Sequence, residues 1–539
     1  MIAKPTLKNW HGDLTGGVTA AVVALPLALA FGVASGVGPV AGLYGAIWVG
    51  LFAALFGGTP AQVSGPTGPM TVVMAAVFVK FSHNPALAFT VVMLGGAFQI
   101  GFGMLRLGRY INLMPYPVIS GFMSGIGVLI IIIELAPMLG HFSPKEPLNC
   151  LAALPGFIKT FNPHALILGL LTLFTVFFLP KRLTRYIPSP LFALIACTLL
   201  AAFVLNDAPV LGEIPSGLPS VKMPMLEWGN VQEVFYYALM LALLGSIDSL
   251  LTSLIADNVT QTNHDSDQEL IGQGLGNMVA GLMGGIPGAG ATMRTMINIR
   301  SGGKTNLSGA IHAVILLAIV LGLGGFASYI PHAVLAGILL KVGIEIIDWD
   351  YLRRIRNAPL DGIILMFSVL LLTIFDDLVT AVAVGTVMAS LLFVKRMADL
   401  QLENINVLDG NTDHAHLSSE EKALYKRCLG RAMMIHLAGP MSFGAANGMT
   451  RKISGVPYTD VLILDLTDVP MMDSSAALSL ENIIRRAGER GVTVLLVGIH
   501  MSVARVFKKL GLLELIKEQH RYASRQEALQ HAVEMLNAS

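Results

Sequence analysis

The stretch Ser64-Gly65-Pro66-Thr67-Gly68-Pro69-Met70 breaks an apolar run, Leu14 to Val79, that contains no Asp, Glu, Lys or Arg. After Gly65-Pro66, only the residues from Thr67 to Val79 come before the next charged residue, Lys80. A helix needs about 20 residues to cross about 30 Å of hydrocarbon, so this segment is too short for a full span. The pattern therefore predicts a half-helix that begins near the middle of a membrane.

A second break lies far downstream, at Gly284-Gly285-Ile286-Pro287-Gly288-Ala289-Gly290-Ala291-Thr292-Met293-Arg294, and a short segment follows it to Arg300. Two short, Gly/Pro-interrupted segments in corresponding halves of a membrane chain indicate the binding site of a secondary transporter. The N-terminus of each half-helix carries about half a positive charge and several unpaired N–H groups. Two such N-termini facing each other would bind an anion without a cationic side chain.

The composition also indicates a membrane protein. Of the 539 residues, 54% are hydrophobic and 13% are charged, against about 25% charged in an ordinary soluble protein. The net charge is +1 and the basic residues are scattered, which argues against a nucleic-acid partner. The apolar stretches that we expect in the lipid bilayer are 14–31, 39–57, 67–80, 86–105, 112–135, 163–179, 189–206, 234–256, 270–286, 291–301, 308–326, 331–347, 360–375 and 378–394.

The basic residues predict the orientation of the chain. With the amino terminus in the cytoplasm, most loop Lys and Arg residues fall on the inner side, as the positive-inside rule requires. The basic residues that fall outside are Lys80, Lys145, Lys159 and Lys222. We therefore expect a cytoplasmic amino terminus and a cytoplasmic tail. In this orientation the two half-helices run in opposite directions, so their N-termini face each other.

After Lys395-Arg396 the composition becomes that of a soluble protein. We divide the chain into a membrane domain, residues 1–396, a linker, residues 397–429, and a cytoplasmic α/β domain, residues 430–539. About 110 residues suffice for one small domain with its own core. The strands predicted in this domain are Ala432–Leu437, Val461–Leu466 and Val492–Val497, and the helices are Met441–Ser454, Ser474–Gly488, Val503–Leu510 and Arg525–Leu536.

Several motifs together resemble the SulP (sulfate permease) family of anion transporters. They are the opening Gly12-Asp13-Leu14-Thr15-Gly16-Gly17-Val18-Thr19-Ala20-Ala21, the Leu25-Pro26 pair, Gly42-Leu43-Tyr44, the Pro66-Thr67-Gly68-Pro69 turn and Ser301-Gly302-Gly303-Lys304-Thr305. The tail resembles the STAS domain of such proteins. Within the family, the segments most similar to the BicA-type bicarbonate transporters are Lys341-Val342-Gly343-Ile344-Glu345-Ile346-Ile347-Asp348-Trp349, Gly439-Pro440-Met441 and Asp465-Leu466-Thr467-Asp468-Val469-Pro470.

This resemblance implies a polytopic α-helical fold of about fourteen segments. They would form two inverted repeats of seven, with the two half-helices meeting at the midplane, and a core domain would move against a gate domain that dimerises or anchors. It also implies that the half-helix starts hold the anion. The expected substrate-binding residues are Thr67, Gly68, Met70, Ala291, Thr292 and Arg294. For the two threonines, helix capping is an equally good interpretation.

Asp248 is a carboxylate inside an otherwise uncharged segment, and Thr252 lies one helical turn further on the same face. Intramembrane carboxylates are costly and usually functional, and a carboxylate with a hydroxyl suits a hard cation. The resemblance implies that these two residues bind sodium. Alternatively, Asp248 pairs with Arg294, whose fixed charge could also replace a cotransported cation or leave proton coupling.

We therefore expect a secondary transporter of the inner membrane, acting as a homodimer, that takes up bicarbonate with sodium and needs no other cofactor. The alternatives are a proton-coupled or exchanging transporter of sulfate, chloride or a small dicarboxylate, and an anion sensor or channel that signals through the STAS domain. An enzyme is not expected, because no nucleophile–base pair or metal-ligand cluster stands out. Ser474, at a helix start, is either a regulatory phosphorylation site or an N-cap residue.

Overall fold

The computed structural model describes residues 9–111, 115–144, 147–180, 183, 188–212, 221–323, 328–376, 378–408, 417–454 and 459–538. Residues 1–8, which contribute to the orientation prediction, and residues 409–416 of the predicted linker lie outside this range. The chain divides into two compact units, Met1–Val387 and Met388–Ser539.

The first unit is helical apart from two very short strands. Its helices are α1 (Trp10–Ala34), α2 (Pro39–Phe56), α3 (Gly68–Lys80), α4 (Pro85–Met104), α5 (Gly108–Ile111), α6 (Tyr116–Met138), α7 (Pro147–Lys159), α8 (Pro163–Phe178), α9 (Ser189–Phe203), α10 (Val231–Thr260), α11 (Ser266–Leu282), α12 (Thr292–Arg300), α13 (Asn306–Leu323), α14 (His332–Ile346), α15 (Trp349–Arg354) and α16 (Leu360–Phe375). The next helix, α17 (Leu378–Glu403), continues into the second unit. The short strands are β1 (Ser64–Gly65) and β2 (Ala289–Gly290).

Length and composition of these helices fit a lipid environment. Among the described residues, six helices are long and apolar enough to cross a membrane, and α7 with α8, bent by 116°, would make a seventh span. Each apolar stretch of the sequence contains a helix, which confirms a polytopic helical membrane unit. α7 was not predicted, because its sequence is short and interrupted by Pro155.

The helices of this unit pack in two groups. One group contains α1 to α4 and α10 to α13, with α11 against α4 and α2. The other contains α6, α8, α9, α14 and α16, with α6 between α14 and α16. Glycines allow the close crossings: a Cβ on Gly96 would lie 2.5 Å from the Gly274 carbonyl oxygen, and a Cβ on Gly127 would lie 2.5 Å from the Gly343 carbonyl oxygen. Small residues of this kind let membrane helices approach each other.

The second unit is a five-stranded sheet covered by helices. Its strands, in the spatial order β3-β4-β5-β6-β7, are β3 (Ile405–Leu408), β4 (Ala432–Ala438), β5 (Val461–Asp468), β6 (Thr493–Val497) and β7 (Arg521–Tyr522). β3 pairs antiparallel with β4, and the other pairs are parallel. Its helices are α18 (Ser419–Arg427), α19 (Phe443–Ser454), α20 (Ser474–Glu489), α21 (Met501–Lys509) and α22 (Arg525–Ala538).

Alternate residues of each strand face opposite sides of this sheet. Met433 and Ile435 belong to the core beneath α19, α20 and α21, whereas Met434 belongs to the core beneath α18 and α22. Parallel strands buried on both faces are continuously apolar, and this property made them recognisable in the sequence. The predicted strands and helices of the tail are confirmed to within about two residues at each end.

The structure differs from the predicted linker at several places: α17 extends to Glu403, and Ser419–Arg427 forms α18, which packs against α22. Ile405–Leu408, within the predicted linker 397–429, forms β3 and pairs with Met434 to Leu437 of β4. A lone edge strand of four residues gives too weak a pattern to be recognised before its partner is known. The sheet therefore extends further towards the amino terminus than the sequence indicated.

Candidate anion-binding site

The two Gly/Pro-rich breaks meet in the structure as an antiparallel pair. β1 and β2 place Ser64 opposite Gly290 and Gly65 opposite Ala289. A Cβ on Gly288 would lie 2.5 Å from the Gly65 carbonyl carbon, so only glycine allows this backbone approach. Because the strands run in opposite directions, the two following helices also leave the crossing in opposite directions.

Each strand leads into a half-helix, whose first N–H groups have no acceptor within the helix; in α3 these are the N–H groups of Gly68 and Met70, since Pro69 has none. α3 begins at Gly68 after the N-cap residue Thr67, and α12 begins at Thr292 after the N-cap residue Ala291. The first helical bonds are Thr71 N–H to Thr67 O and Thr295 N–H to Ala291 O. The N–H groups before them are those that a helix leaves free at its N-terminus, where they favour an anion.

Arg294 brings a full positive charge to this crossing. Its side chain is 2% exposed, and its Nη2 donates a hydrogen bond of 2.6 Å to the Pro66 carbonyl oxygen. Its Nη1 has no hydrogen-bond partner among the described residues. A Cβ on Gly65, whose φ is +151°, would lie 2.8 Å from Nη1. The glycine therefore makes room for the guanidinium, which ties one break to the other.

The half-helix starts, Arg294 and Asp248 line a common cavity of about 360 Å³, which we call the site cavity. Asp248 enters it from the middle of α10, and its Oδ2 has no hydrogen-bond partner within the described ranges. In that part of the chain no ion pair of 4.0 Å or less joins Asp248 to Arg294. The direct pair that the sequence left as an alternative is therefore not formed in this conformation.

The threonines do not cap the half-helices with their side chains. Thr67 stands at the N-cap of α3 without a side-chain capping bond, and its hydroxyl is buried without a partner in the described structure. Thr292 is the first residue of α12, and its hydroxyl lies 2.8 Å from that of Thr252. Thr67 and Thr292 both line the site cavity, so the capping interpretation is not supported for either side chain.

The structure brings together most of the expected ligands, but not all. Thr67, Gly68, Ala291, Thr292, Arg294 and Asp248 line the site cavity. Met70 is 1% exposed and packs towards α10 near Gly245, outside the cavity lining. Thr252 is also outside the lining, because its hydroxyl donates to the Gly290 carbonyl oxygen at 3.0 Å and contacts Thr292.

Sequence reasoning missed the wall opposite the half-helices. Phe31 of α1, Met123 of α6 and Val342, Glu345 and Ile346 of α14 also line the site cavity. Glu345 pairs with Lys341 at 3.1 Å within the same helix. The segment 341–349 carried a resemblance, but apolar positions with helical spacing are usually core. Only the packing of α14 against α6 shows that this face reaches the site.

Buried polar side chains hold the two breaks in place. Glu269 is 1% exposed and accepts hydrogen bonds from the Thr59 N–H, Gln62 and Gln273. Gln273 also donates to the Ser64 hydroxyl, at the start of β1. A buried carboxylate must be compensated in this way, or it would destabilise the fold by several kcal/mol. Glu269 therefore fixes the first break rather than facing the site cavity.

Asn277 performs the same role for the second break. Its side-chain amide donates to the Gly288 carbonyl oxygen at 2.9 Å, and its Oδ1 accepts from the Gly288 N–H at 2.8 Å. Ser249 accepts from the Gly290 N–H at 3.0 Å. The backbone polar groups of this irregular segment are thus satisfied by protein, as a membrane interior requires.

Two sequence motifs also meet near the end of α12. Asp13 of α1 is fully buried and accepts hydrogen bonds from the Lys304 N–H, the Thr305 N–H and the Thr305 hydroxyl. These are residues of the opening motif and of the motif that follows the second half-helix. The contact anchors the end of the second break to the start of α1.

In the second unit, a charged cluster lies at the carboxyl end of the parallel strands. Asp465 accepts hydrogen bonds from His436, the Thr467 hydroxyl and Arg525. Burial alone would raise the pKa of Asp465, but the His436 and Thr467 hydrogen bonds and the Arg525 charge lower that pKa to about 2. Arg525 also donates to Asp468 at 2.7 Å. The cluster ties α22 to β5 and explains the polar end of an otherwise apolar strand.

Ser474 does not cap α20. Asp473 is the N-cap residue, and its side chain accepts from the Ala476 N–H at 2.9 Å. Ser474 follows it and is exposed. The N-cap interpretation is therefore wrong, and phosphorylation of Ser474 stays a prediction.

Comparison with known proteins identifies the family. The model of the sulfate permease family matches residues 10–368, and that of the STAS domain matches residues 424–528. Bicarbonate transporter BicA of Synechocystis sp. is 45% identical over 534 residues, 98% of this chain and 95% of that protein.

Two solved structures are similar to the chain. The transmembrane domain of a cyanobacterium bicarbonate transporter BicA is 49% identical with a TM-score of 0.66, and the match covers 70% of this chain and 98% of that one. SLC26A9, at 20% identity and a TM-score of 0.83 over 99% of this chain and 92% of that one, shares the fold. The family is one of transporters and not of enzymes, as expected. The chain therefore belongs to the sulfate permease family, as a multi-pass membrane anion transporter with a C-terminal STAS domain.

Proposed function

We propose that the chain takes up bicarbonate by alternating access, with the anion held in the site cavity. The observation that supports this most is that two half-helix starts and the Arg294 guanidinium reach one cavity. The N–H groups and the free Nη1 of Arg294 are donors for the planar, singly charged bicarbonate ion. The relatives named bicarbonate transporters, similar over nearly the whole chain, favour this substrate.

Sulfate, chloride and a small dicarboxylate are the alternative substrates, since backbone N–H groups recognise charge more than identity. An anion sensor or channel that signals through the STAS domain is a third possibility. The antiparallel crossing favours a transporter, because half-helices that meet inside the membrane create an enclosed site rather than a continuous pore.

We further propose that sodium enters with the anion and binds at Asp248. With Arg294 and an ionised Asp248 in the cavity, one bicarbonate leaves a net negative charge, and one sodium ion would neutralise it. Uncompensated charge in a low-dielectric site is costly. Asp248 Oδ2, buried and without a partner among the described residues, is the oxygen we assign to this ion. Thr252, whose hydroxyl contacts Gly290 and Thr292, would act by positioning the second half-helix.

The remaining architecture is part of the same proposal. We infer about fourteen segments in two inverted repeats of seven, a homodimer, and an inner-membrane location with the amino terminus and STAS domain in the cytoplasm. The domains would be 1–396, 397–429 and 430–539, with β3 of the linker added to the STAS sheet. The opposite directions of α3 and α12 support the inverted repeats.

Uptake of labelled bicarbonate into proteoliposomes tests this proposal. We expect uptake with an inward sodium gradient, and a large loss of uptake when choline replaces sodium at fixed pH. Thr67→Leu, which fills the site cavity, should abolish uptake in folded protein. Thr175→Leu is the matched control, because within the described ranges the Thr175 hydroxyl bonds only to the Leu171 carbonyl oxygen of its own helix. Normal uptake by Thr67→Leu would move the site elsewhere, and uptake unchanged in choline would leave proton coupling or exchange.

A further inference from the structure

A second buried carboxylate shares a small cavity with Phe31, a residue that also lines the site cavity. Glu134, near the end of α6, is 5% exposed. No hydrogen bond or ion pair to its carboxylate is found among the described residues, in contrast to the well-compensated Glu269. A buried carboxylate without a partner favours its neutral form. The anion site described above does not include this side chain.

Glu134 lines two adjoining cavities. The outer cavity, of about 300 Å³, is lined by the ends of α1, α3 and α6, the start of α14 and the segment after α6. A smaller middle cavity, of about 20 Å³, is lined by Phe31, Thr71, Ile130 and Glu134 among others. Ala34, Ala75, Ile133, Glu134 and Leu339 line both the outer and the middle cavity.

The middle cavity also borders the site cavity, because Phe31 lines both. Shared lining residues therefore link the three cavities, from the half-helix starts to the ends of α1, α3 and α6. Thr71, one turn into α3, has a buried hydroxyl without a partner in the described ranges, and it lines the middle cavity. The middle cavity, about 20 Å³, is far smaller than the site cavity of about 360 Å³ and the outer cavity of about 300 Å³, and Glu134 lines both the middle and the outer cavity.

The titratable groups around Glu134 come from three places. His332 of α14 and His141, in the segment after α6, line the outer cavity. Cys150 of α7 lies close to Glu134, and its thiol donates to the Ile132 carbonyl oxygen. Among the described residues, the lining contributed by α1 and α3 is apolar apart from Ser35, Thr71 and Ser82. No Lys or Arg in that lining offsets a charge on Glu134.

We propose that Glu134 is a proton-binding site on the outer anion path, and that its neutral form lets a small anion pass between the outer cavity and the site cavity. A protonated carboxyl group donates a hydrogen bond to the anion at the narrow point. An ionised one repels the anion at short range in a poorly solvated passage. Anion entry therefore depends on the proton concentration outside. This inference rests on the proposed transport function and on the orientation that places these helix ends outside.

The test is the dependence of uptake on external pH at constant bicarbonate concentration and constant internal pH. Between about pH 6 and about pH 9, we expect uptake by the parent protein to fall about tenfold. Glu134→Gln, a neutral residue of the same shape that still donates a hydrogen bond, should stay active at high pH and lose most of this fall. The histidines are present in both proteins, so the difference between them isolates Glu134.

Glu227→Gln is the matched control, because Glu227 is an exposed carboxylate before α10. It should keep the pH dependence of the parent. Parent uptake that does not fall with rising external pH would overturn the inference even if Glu134→Gln failed to fold. A Glu134→Gln protein whose uptake falls with external pH as steeply as that of the parent would also overturn it, and so would a Glu134→Gln protein that is folded but inactive. Absence of any uptake by the parent would instead overturn the transport function itself.

Discussion

Replacement of Arg294 by glutamine is the sharpest test of how the site holds an anion. The change removes the positive charge from the site cavity and the hydrogen bond to the Pro66 carbonyl oxygen, which is 2.6 Å long. A hydrogen bond from a charged donor contributes about 1.5–3 kcal/mol. We therefore expect Arg294→Gln to unfold at a lower temperature in detergent, and to loosen the tie between the two breaks.

The effect on the anion is larger. A monoanion about 4 Å from the guanidinium would gain about 4 kcal/mol at an effective dielectric constant of about 20, which is roughly a thousandfold in affinity. Water and the half-helix N-termini will replace part of this, so we expect KM for bicarbonate to rise by between about tenfold and about a thousandfold.

The assay is the initial rate of bicarbonate uptake against concentration in proteoliposomes. Arg300→Gln is the matched control, since Arg300 ends the same half-helix but is exposed, and its KM should stay within about twofold of the parent. The double variant Asp248→Asn/Arg294→Gln should regain part of the lost stability, because Asp248 no longer stands without a counter-charge. A folded Arg294→Gln protein with the KM of the parent would refute the assignment of Arg294 to the anion.

Three further changes test the supporting structure. Gly288→Ala should prevent the crossing of the two breaks and abolish uptake, because its Cβ would lie 2.5 Å from the Gly65 carbonyl carbon. Gly101→Ala is the control: within the described structure its Cβ would meet no atom of another segment within 4 Å, so its thermal unfolding and uptake should match those of the parent. Equal behaviour of the two variants would contradict the crossing. Asp13→Asn should destabilise the membrane unit by about 2–3 kcal/mol, because the hydrogen bonds from the Lys304 and Thr305 N–H groups to a charged acceptor are lost. Thermal unfolding measures this loss, and an effect smaller than about 0.5 kcal/mol would show that this anchor is dispensable. The pKa of Asp465 is lowered to about 2 in the folded chain. Its ionised carboxylate therefore adds roughly 2 kcal/mol to the free energy of unfolding of the second unit above about pH 4, and this stabilisation is lost as the pH falls towards about 2. Asp465→Asn should therefore destabilise the second unit at pH 7 and progressively less in acid, as followed by circular dichroism, and a pH-independent difference would contradict this reasoning.

The sequence predicted the elements where one local pattern decided the outcome. The half-helices after Thr67 and Ala291 could be recognised because Gly and Pro interrupted apolar runs that were then too short for a span. The β4, β5 and β6 strands of the tail could be recognised because parallel strands buried on both faces are apolar throughout. The elements missed include β3, β7, α7 and α18, since short edge strands, a Pro-interrupted helix and a short polar helix carry little apolar periodicity of their own.

The candidate site was predicted in part for a related reason. Asp248 and Arg294 are charged residues in apolar surroundings, so their cost in a membrane marks them as functional without any structure. Met70 was placed with them by the resemblance, and Thr252 because it lies one helical turn from Asp248. The structure packs Met70 against α10 near Gly245, and the Thr252 hydroxyl contacts Gly290 and Thr292 instead of the cavity. Glu345 and Phe31 reach the cavity from other helices, and nothing local distinguishes them from core residues.

The sequence by itself therefore determined that the chain is a membrane transporter with an interrupted pair of segments and a separate α/β tail, because hydrophobicity, chain breaks and isolated charges are local properties. Tertiary structure alone decided how the two half-helix starts face one another, how Arg294 ties Pro66 to the second half-helix, and that Glu134 lines a small cavity together with Phe31. These depend on the crossing of segments more than two hundred residues apart, whose register is set by contacts such as that of Gly288 with Gly65 and not by either segment alone.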